Sequence, residues 1–172
     1  LFANGSLSLM QRREARRSST DRRVSVVADL VNKTPGPWVV WCDLNAESGA
    51  LTAAIDGALE IRGSDDIEDK EQALRAFATG EARVLVSKPS ICGWGLNWQH
   101  CHQMAFVGLS DSFEGYYQAV RRCWRFGQRK PVDVHVVSSE LEGAVVANIK
   151  RKGAMAEEMA KELTEATREA LQ

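Results

Sequence analysis

Two arginines three residues apart, with a glutamine four residues ahead of the first, form the most chemically suggestive grouping in the 172-residue chain. They are Gln118, Arg122 and Arg125, in the run Gln118-Ala119-Val120-Arg121-Arg122-Cys123-Trp124-Arg125-Phe126-Gly127-Gln128. Each guanidinium is a planar fork of donors suited to phosphate oxygens. A helix starting near Asp111 or Ser112 and running through most of this stretch would gather Phe113, Tyr116, Tyr117, Val120 and Trp124 on one apolar face. At about 100° per residue, Gln118, Arg122 and Arg125 then fall within roughly 60° of one another on the other side. Such an arc suits a polyanion. The same spacing also describes a solvated basic face of an amphipathic helix.

A second grouping is Gly93-Trp94-Gly95-Leu96-Asn97, a few residues beyond an apolar run. Two glycines permit close backbone approach or positive φ, although a lone Gly-x-Gly often marks only a tight turn. It lacks the spacing of a dinucleotide fingerprint. Trp94 and Trp98 flank it and could stack on bases or pack in a core. His100-Cys101-His102, with Cys92 nearby, could be read as metal ligands. Adjacent residues of an extended segment point to opposite faces, and no second pair has zinc spacing. No G-x-x-x-x-G-K-[ST] loop occurs anywhere, and no Asp-Glu pair ends an apolar strand in the manner of a Mg²⁺ holder.

The elements that must position these residues alternate in type. Val24, Val27, Ala28 and Val31 fall at helical spacing over 21–32, before Thr34-Pro35-Gly36-Pro37. Strands are predicted over Trp38–Cys42, Ala58–Ile61, Arg83–Ser87, Met104–Gly108 and Val132–Val137. Asn45 can cap a helix over 46–56 that Gly57 stops. Asp65 and Glu68 resemble a capping box for a helix carrying Ile67, Leu74 and Phe77 and ending before Gly80. The stretch from Ser139 to Gln172 reads as helix, with Gly153 as a possible break and with a near-balance of Lys and Glu suited to solvent or a partner. Strands alternating with helices imply an α/β fold with a mainly parallel sheet of about five or more strands. Ligands in such sheets bind beyond the carboxyl ends of the strands. The loops after Cys42, Ile61, Ser87 and Gly108 are therefore the places for a site.

Composition narrows the class. The hydrophobic fraction of 44% and charged fraction of 26% are those of an ordinary globular domain. No apolar run is long enough to cross a membrane and no signal peptide is recognisable. The net charge of -1 gives no global attraction to nucleic acid, but a local basic track suffices. One such track is Arg12, Arg13, Arg16, Arg17, Arg22 and Arg23, either a solvated linker or a phosphate-contacting segment. Four cysteines without a CxxC pair fit a reducing cytoplasm. The chain begins at Leu1 and is expected to be an excised piece, divided into an Arg-rich linker over 1–20, a lobe over 21–140 and a helical extension over 141–172.

Taken in order, these pieces resemble the C-terminal RecA-like lobe of helicase superfamily 2, specifically Swi/Snf-like ATPases of the kind found in phage and prophage DNA helicases. Gln118-Ala119, Arg122, Arg125 and Gly127-Gln128 match motif VI, and Gly93-x-Gly95-Leu96-Asn97 matches motif V. Arg62-Gly63-Ser64, followed by Lys70-Glu71 and Phe77, resembles the segment after motif IV, whose strand corresponds to Val39-Val40-Trp41-Cys42. The likeness covers roughly residues 38–137. Arg121 stands where the family often has Asp or Gly, and Trp124 where it usually has His.

The resemblance implies a three-layer fold that closes on an upstream lobe holding ATP and Mg²⁺. Arg125 would be the arginine finger, with Arg122 beside it at the γ-phosphate. Gln118 would position these groups or touch the nucleotide, and Gly95 and Asn97 would couple it to the DNA. Arg62, Ser64, Ser87 and Lys88 would meet backbone phosphates. The fragment alone would not hydrolyse ATP. Two other readings remain: a non-catalytic RecA-like module that grips nucleic acid or protein, and an unrelated α/β enzyme with a phosphate-binding arginine pair.

Overall fold

A computed structural model describes residues 17–92 and 96–170, together with Met10 and Glu14. Five strands, β1 (Trp38–Trp41), β2 (Ala58–Glu60), β3 (Val84–Ser87), β4 (Gln103–Val107) and β5 (Asp133–Val137), form one sheet in the order β2-β3-β1-β4-β5. Every neighbouring pair is parallel. Among the described residues, five helices accompany it: α1 (Thr20–Lys33), α2 (Asn45–Ala54), α3 (Ile67–Thr79), α4 (Phe113–Val120) and α5 (Gly143–Ala170), the last entered through a 3₁₀ turn at Glu140–Glu142.

The central strands β3, β1 and β4 are buried along their whole length. That is why they read as continuous apolar runs: side chains alternate between two faces, and both faces are covered. Trp38, Val40 and Cys42 pack with Val27 and Val31 of α1 and Leu51 of α2. Val39 and Trp41 point the other way, into a cluster with Phe77, Trp98, Met104, Phe106, Ala119 and Ile149. The expected three-layer α/β architecture is present.

Several local expectations need correction. Asn45 does not cap α2. The buried carboxylate of Glu47 does so, its Oε2 accepting the N–H groups of Asp43 at 3.1 Å and Leu44 at 3.0 Å. Asp65 forms no capping box either; its Oδ2 accepts the Arg62 N–H at 2.6 Å, and Asp66 precedes α3. Ile67 is exposed, so α3 is anchored by Phe77 and by half-buried Leu74. Gly80, at φ 83°, ends that helix in the left-handed conformation glycine permits. Gly153 does not interrupt α5, which is continuous over 28 residues. One glycine costs a helix only about 1 kcal/mol, and the alanines, lysines, glutamates and methionines around it offset that.

The Arg-rich track also divides. Arg12, Arg13 and Arg16 lie outside the described residues, and Arg17 and Arg22 are exposed. Arg23 is neither solvated nor phosphate-facing. It is buried, with Nη1 2.8 Å from Glu47 Oε1 and Nε 3.9 Å from Glu142 Oε2. A long side chain leaving the inner face of α1 thus binds the start of α2 and the entry to α5, whose Glu142 also accepts the Ser139 N–H at 2.7 Å.

Candidate nucleotide and nucleic-acid site

The loops beyond the carboxyl ends of β1, β2 and β3 form an open groove lined by Asn45, Arg62, Gly63, Ser64, Lys88 and Ser90. Lys88 Nζ donates to Asn45 Oδ1 at 2.6 Å, and Lys70 Nζ donates to the Gly63 carbonyl at 2.8 Å. Arg62 Nη2 lies 2.6 Å from Glu60 Oε2. That bond holds the Glu60 carboxyl below its ordinary range and raises the exposed Arg62 guanidinium. Three residues predicted to meet phosphates, Arg62, Ser64 and Lys88, are therefore neighbours with their donors at the surface. Ser87 is not one of them. It is fully buried, its hydroxyl donating to the Ile61 carbonyl at 3.0 Å and receiving the Cys92 thiol at 3.2 Å. The sequence could not separate Ser87 from Lys88, because the strand ends between them.

The arginines lie in the turn that follows α4, bonded to residues 98–101 that lead into the amino end of β4. Ser112 caps α4 through its hydroxyl, which accepts the Gly115 N–H at 3.0 Å. The helix then stops at Val120, so it does not run through most of the 118–128 stretch as expected. Beyond it the Arg122 N–H reaches Ala119 and the Cys123 N–H reaches Val120, which are tight turns in place of helical bonds. The carbonyls that would have continued the helix are taken by other partners. Arg122's accepts the Trp98 N–H at 2.9 Å, and Cys123's accepts Gln128 Nε2 at 3.3 Å. Gly127, at φ 95°, turns the chain away.

The expected polar arc on one helix is therefore replaced by three different settings. Gln118 is exposed on α4, Arg125 is half-buried in the turn, and Arg122 is only 5% exposed. Burial, and then the charge of Arg125, pull the Arg122 guanidinium below its ordinary value, while Cys92 acts in the opposite sense. Cys92 is itself bonded to Ser87 at the end of β3, and Arg122 is tied through its own carbonyl to the Trp98 N–H.

Asn97 is exposed, one residue before Trp98. Gly95, with Gly93 and Trp94, lies outside the described residues. Trp98 resolves in favour of packing: it is buried edge-on to Phe77 at 5.4 Å and tilted against Trp41 at 6.0 Å. His100 packs on Phe77 at 4.9 Å, and burial pulls it below its ordinary pKa. The Cys101 thiol lies 3.2 Å from the Gln103 carbonyl. Among the described residues, no three His, Cys, Asp or Glu side chains gather as a metal site.

A pair of glutamines joins the arginine turn to the segment after Asn97. Gln128 Nε2 faces the carbonyls of Gln99 at 3.1 Å, Cys101 at 3.0 Å and Cys123 at 3.3 Å. Gln99 Nε2 donates to the Phe126 carbonyl at 2.9 Å. Gln128 fell within the motif VI match, but nothing in the sequence singled out Gln99.

With this geometry in view, comparison with known proteins is decisive at the family level. The helicase conserved C-terminal domain matches residues 22–127. The chain belongs to that family. This helicase C-terminal lobe is similar to the DEAD-box ATP-dependent RNA helicase 35A of Oryza sativa subsp. japonica, 26% identical over 113 residues, 63% of this chain and 18% of that protein. It is also similar to the ATP-dependent RNA helicase eIF4A of Yarrowia lipolytica, 27% identical over 109 residues, 61% of this chain and 27% of that one. The chain thus spans about a fifth to a quarter of the curated relatives it matches. In fold it is similar to the C-terminal part of the Fun30 ATPase domain, with a TM-score of 0.65 and 14% identity, covering 74% of this chain and 44% of that one. The C-terminal domain of the DEAD-box protein Dbp5 gives a TM-score of 0.62 at 16% identity, covering 77% and 78% of the two chains. The expected RecA-like helicase fold is confirmed.

Proposed function

We propose that this lobe is the second half of an ATP-driven nucleic-acid motor, completing a nucleotide pocket whose other wall lies on an ATP-holding lobe. The observation that carries the reading is the turn after α4, which holds Arg122 and Arg125 three residues apart inside the stretch matched by the helicase conserved C-terminal domain. Two guanidiniums so placed favour a polyanion beside them. Arg125, the more exposed, is the group that reaches the transferring phosphoryl, and Arg122 backs it. Gln118 serves the nucleotide side, and Gly95 and Asn97 couple it to the polymer. Arg62, Ser64 and Lys88, with Asn45, follow a nucleic-acid backbone, and such contacts set position and not sequence preference. Ser87 is withdrawn from that set. The sequence carries no G-x-x-x-x-G-K-[ST] loop, and in this reading ATP and Mg²⁺ are held mainly by the partner lobe.

The finer assignment is to a Swi/Snf-like DNA motor acting in the cytoplasm of a bacterium or a phage-infected cell. The order and spacing of motifs V and VI support it. RNA is the competing polymer, because the similar curated proteins are RNA helicases. The test is ATP hydrolysis by this lobe joined to an ATP-binding lobe, with duplex DNA, single-stranded DNA and single-stranded RNA added separately. Stimulation by DNA above RNA is expected. Stimulation by RNA alone would move the assignment to RNA, and no hydrolysis under any condition would leave the binding-module reading.

A further inference from the structure

We infer that α5 carries a self-complementary face, and that a second copy of this chain packs antiparallel along it, centred between Met155 and Met159.

The helix is supported for only part of its length. Val145 and Ile149 are buried in the core with Phe106 and Ala119. Gly153 passes close to Phe113, whose Cε2 would stand 3.7 Å from a Cβ placed there. From Ala154 to Glu165 every described side chain is exposed, yet the helix continues to Ala170. A helical stretch of that length is marginal in water by itself, because helices in proteins draw most of their stability from packing an apolar face.

Such a face is present. Met155 and Met159 are 54% and 61% exposed. Lys152 stands three residues before the first, and Glu162 three residues after the second. The spacing 152, 155, 159, 162 is the three-four alternation of a helix–helix seam. At about 100° per residue the four positions fall within roughly 80° of arc, well round the helix from Ile149 and Gly153. Arg151 lies along one edge, with Nη1 3.3 Å from Met155 Sδ and Nη2 3.0 Å from Asn148 Oδ1, and still leaves Met155 mostly open.

The order of charges selects the partner. When a second α5 is turned end for end, Met155 faces Met159 of the second copy, and Lys152 faces Glu162 of the second copy. Each contact occurs twice, so the arrangement is isologous and closes at two chains. A parallel pair would set Lys152 on Lys152 and Glu162 on Glu162, which opposes that orientation. A polyanion would match Lys152 but meet Glu162 and two methionines, so the face does not suit nucleic acid. Unbranched methionines conform readily to one another across such a seam. The seam is narrow, and the pair it makes is therefore weak and concentration-dependent.

The experiment is sedimentation equilibrium of the full 172-residue chain, from micromolar to submillimolar concentration, without nucleotide or nucleic acid. The mass is expected to climb from one chain toward two. Lys152→Glu and Glu162→Lys are each expected to weaken pairing by about tenfold, because two attractive contacts become repulsive. The double variant carrying both reversals is expected to pair like the unaltered chain, as is an equimolar mixture of the two single variants. A Met155→Gln, Met159→Gln variant is expected to stay single while melting with the unaltered chain, since both side chains are exposed before pairing. The restored double variant separates a seam from a folding fault, which the second reversal would not repair. A single chain at every concentration would overturn the inference, as would single reversals that pair normally or a double variant no better than either. The same measurement is made on the protein in which this lobe is joined to its ATP-binding lobe. If the lobe pairs and the joined protein does not, the other lobe covers the stripe and the inference is overturned.

Discussion

Arg23 Nη1 and Glu47 Oε1 meet 2.8 Å apart with both side chains almost wholly removed from water, joining the inner face of α1 to the loop that follows β1. Glu47 uses its other oxygen to hold the Asp43 and Leu44 N–H groups, so the pair fixes the backbone at the start of the groove lined by Asn45 and Lys88. Losing one partner strands a buried charge, which costs about 3–5 kcal/mol. Glu47→Ala and Arg23→Ala are each expected to lower the urea midpoint accordingly. An Arg23→Met, Glu47→Leu double variant is expected to be more stable than either single one, because it removes both charges at once. Equal losses for single and double variants would show that the charges contribute nothing beyond packing.

Trp98 separates core packing from base stacking by the property that responds. It is buried against Phe77 and Trp41, so Trp98→Ala is expected to cost about 3–5 kcal/mol in denaturant unfolding. Fluorescence anisotropy with labelled single strands, at a temperature where the variant stays folded, is expected to give an affinity within a few-fold of the unaltered lobe. A large loss of affinity without loss of stability would return Trp98 to the polymer surface.

The sheet was legible because its signal is redundant. Trp38–Trp41, Val84–Ser87 and Gln103–Val107 are short β-favouring runs bounded by turns, and burial on both faces needs no register to be guessed. The site was legible only in part. Arg62, Ser64 and Lys88 could be placed because loops at one end of a parallel sheet must converge. Arg122 and Ser87 misled because local spacing says nothing of a distant partner: the Arg122 carbonyl is taken by the Trp98 N–H beyond the end of the helix, and the Ser87 hydroxyl is taken by the Ile61 carbonyl. The ion pair of Arg23 was hidden for the same reason, since Glu47 and Glu142 lie 24 and 119 residues away in a chain that reads as an ordinary basic run.

Arg125→Ala, in a protein with both lobes, is expected to lower stimulated turnover by about 10³–10⁵ while ATP affinity changes only a few-fold. The split follows from timing: the finger meets charge that develops on the transferring phosphoryl, not the ground-state nucleotide. Single-turnover assays and nucleotide titration check the two halves separately. Unchanged turnover would remove Arg125 from the pocket.

Arg62 allows a test by acidity. Its bond lowers the folded pKa of Glu60, so the unfolded chain binds the proton more readily between the two values. The stability this adds is present above the ordinary carboxyl pKa of 4.5 and is lost as pH falls through the lower folded value. Denaturant unfolding from neutral pH down through that window is expected to show a steeper loss for the unaltered lobe than for Arg62→Ala. A parallel decline would mean that solvent screens the pair completely.

The groove predicts a salt signature that distinguishes its residues. Removing a side chain that neutralises one phosphate should reduce the slope of log affinity against log salt by about 0.7 on a single strand and about 0.9 on a duplex. Lys88→Ala and Arg62→Ala are expected to show that reduction, and to weaken binding by the same factor across unrelated sequences. Ser87→Ala is the control from the neighbouring position: its hydroxyl is committed to the Ile61 carbonyl, so the slope should stay and about 1 kcal/mol of stability should go. A lowered slope for Ser87→Ala, or an unchanged one for Lys88→Ala, would mean that the polymer runs elsewhere on this face of the lobe.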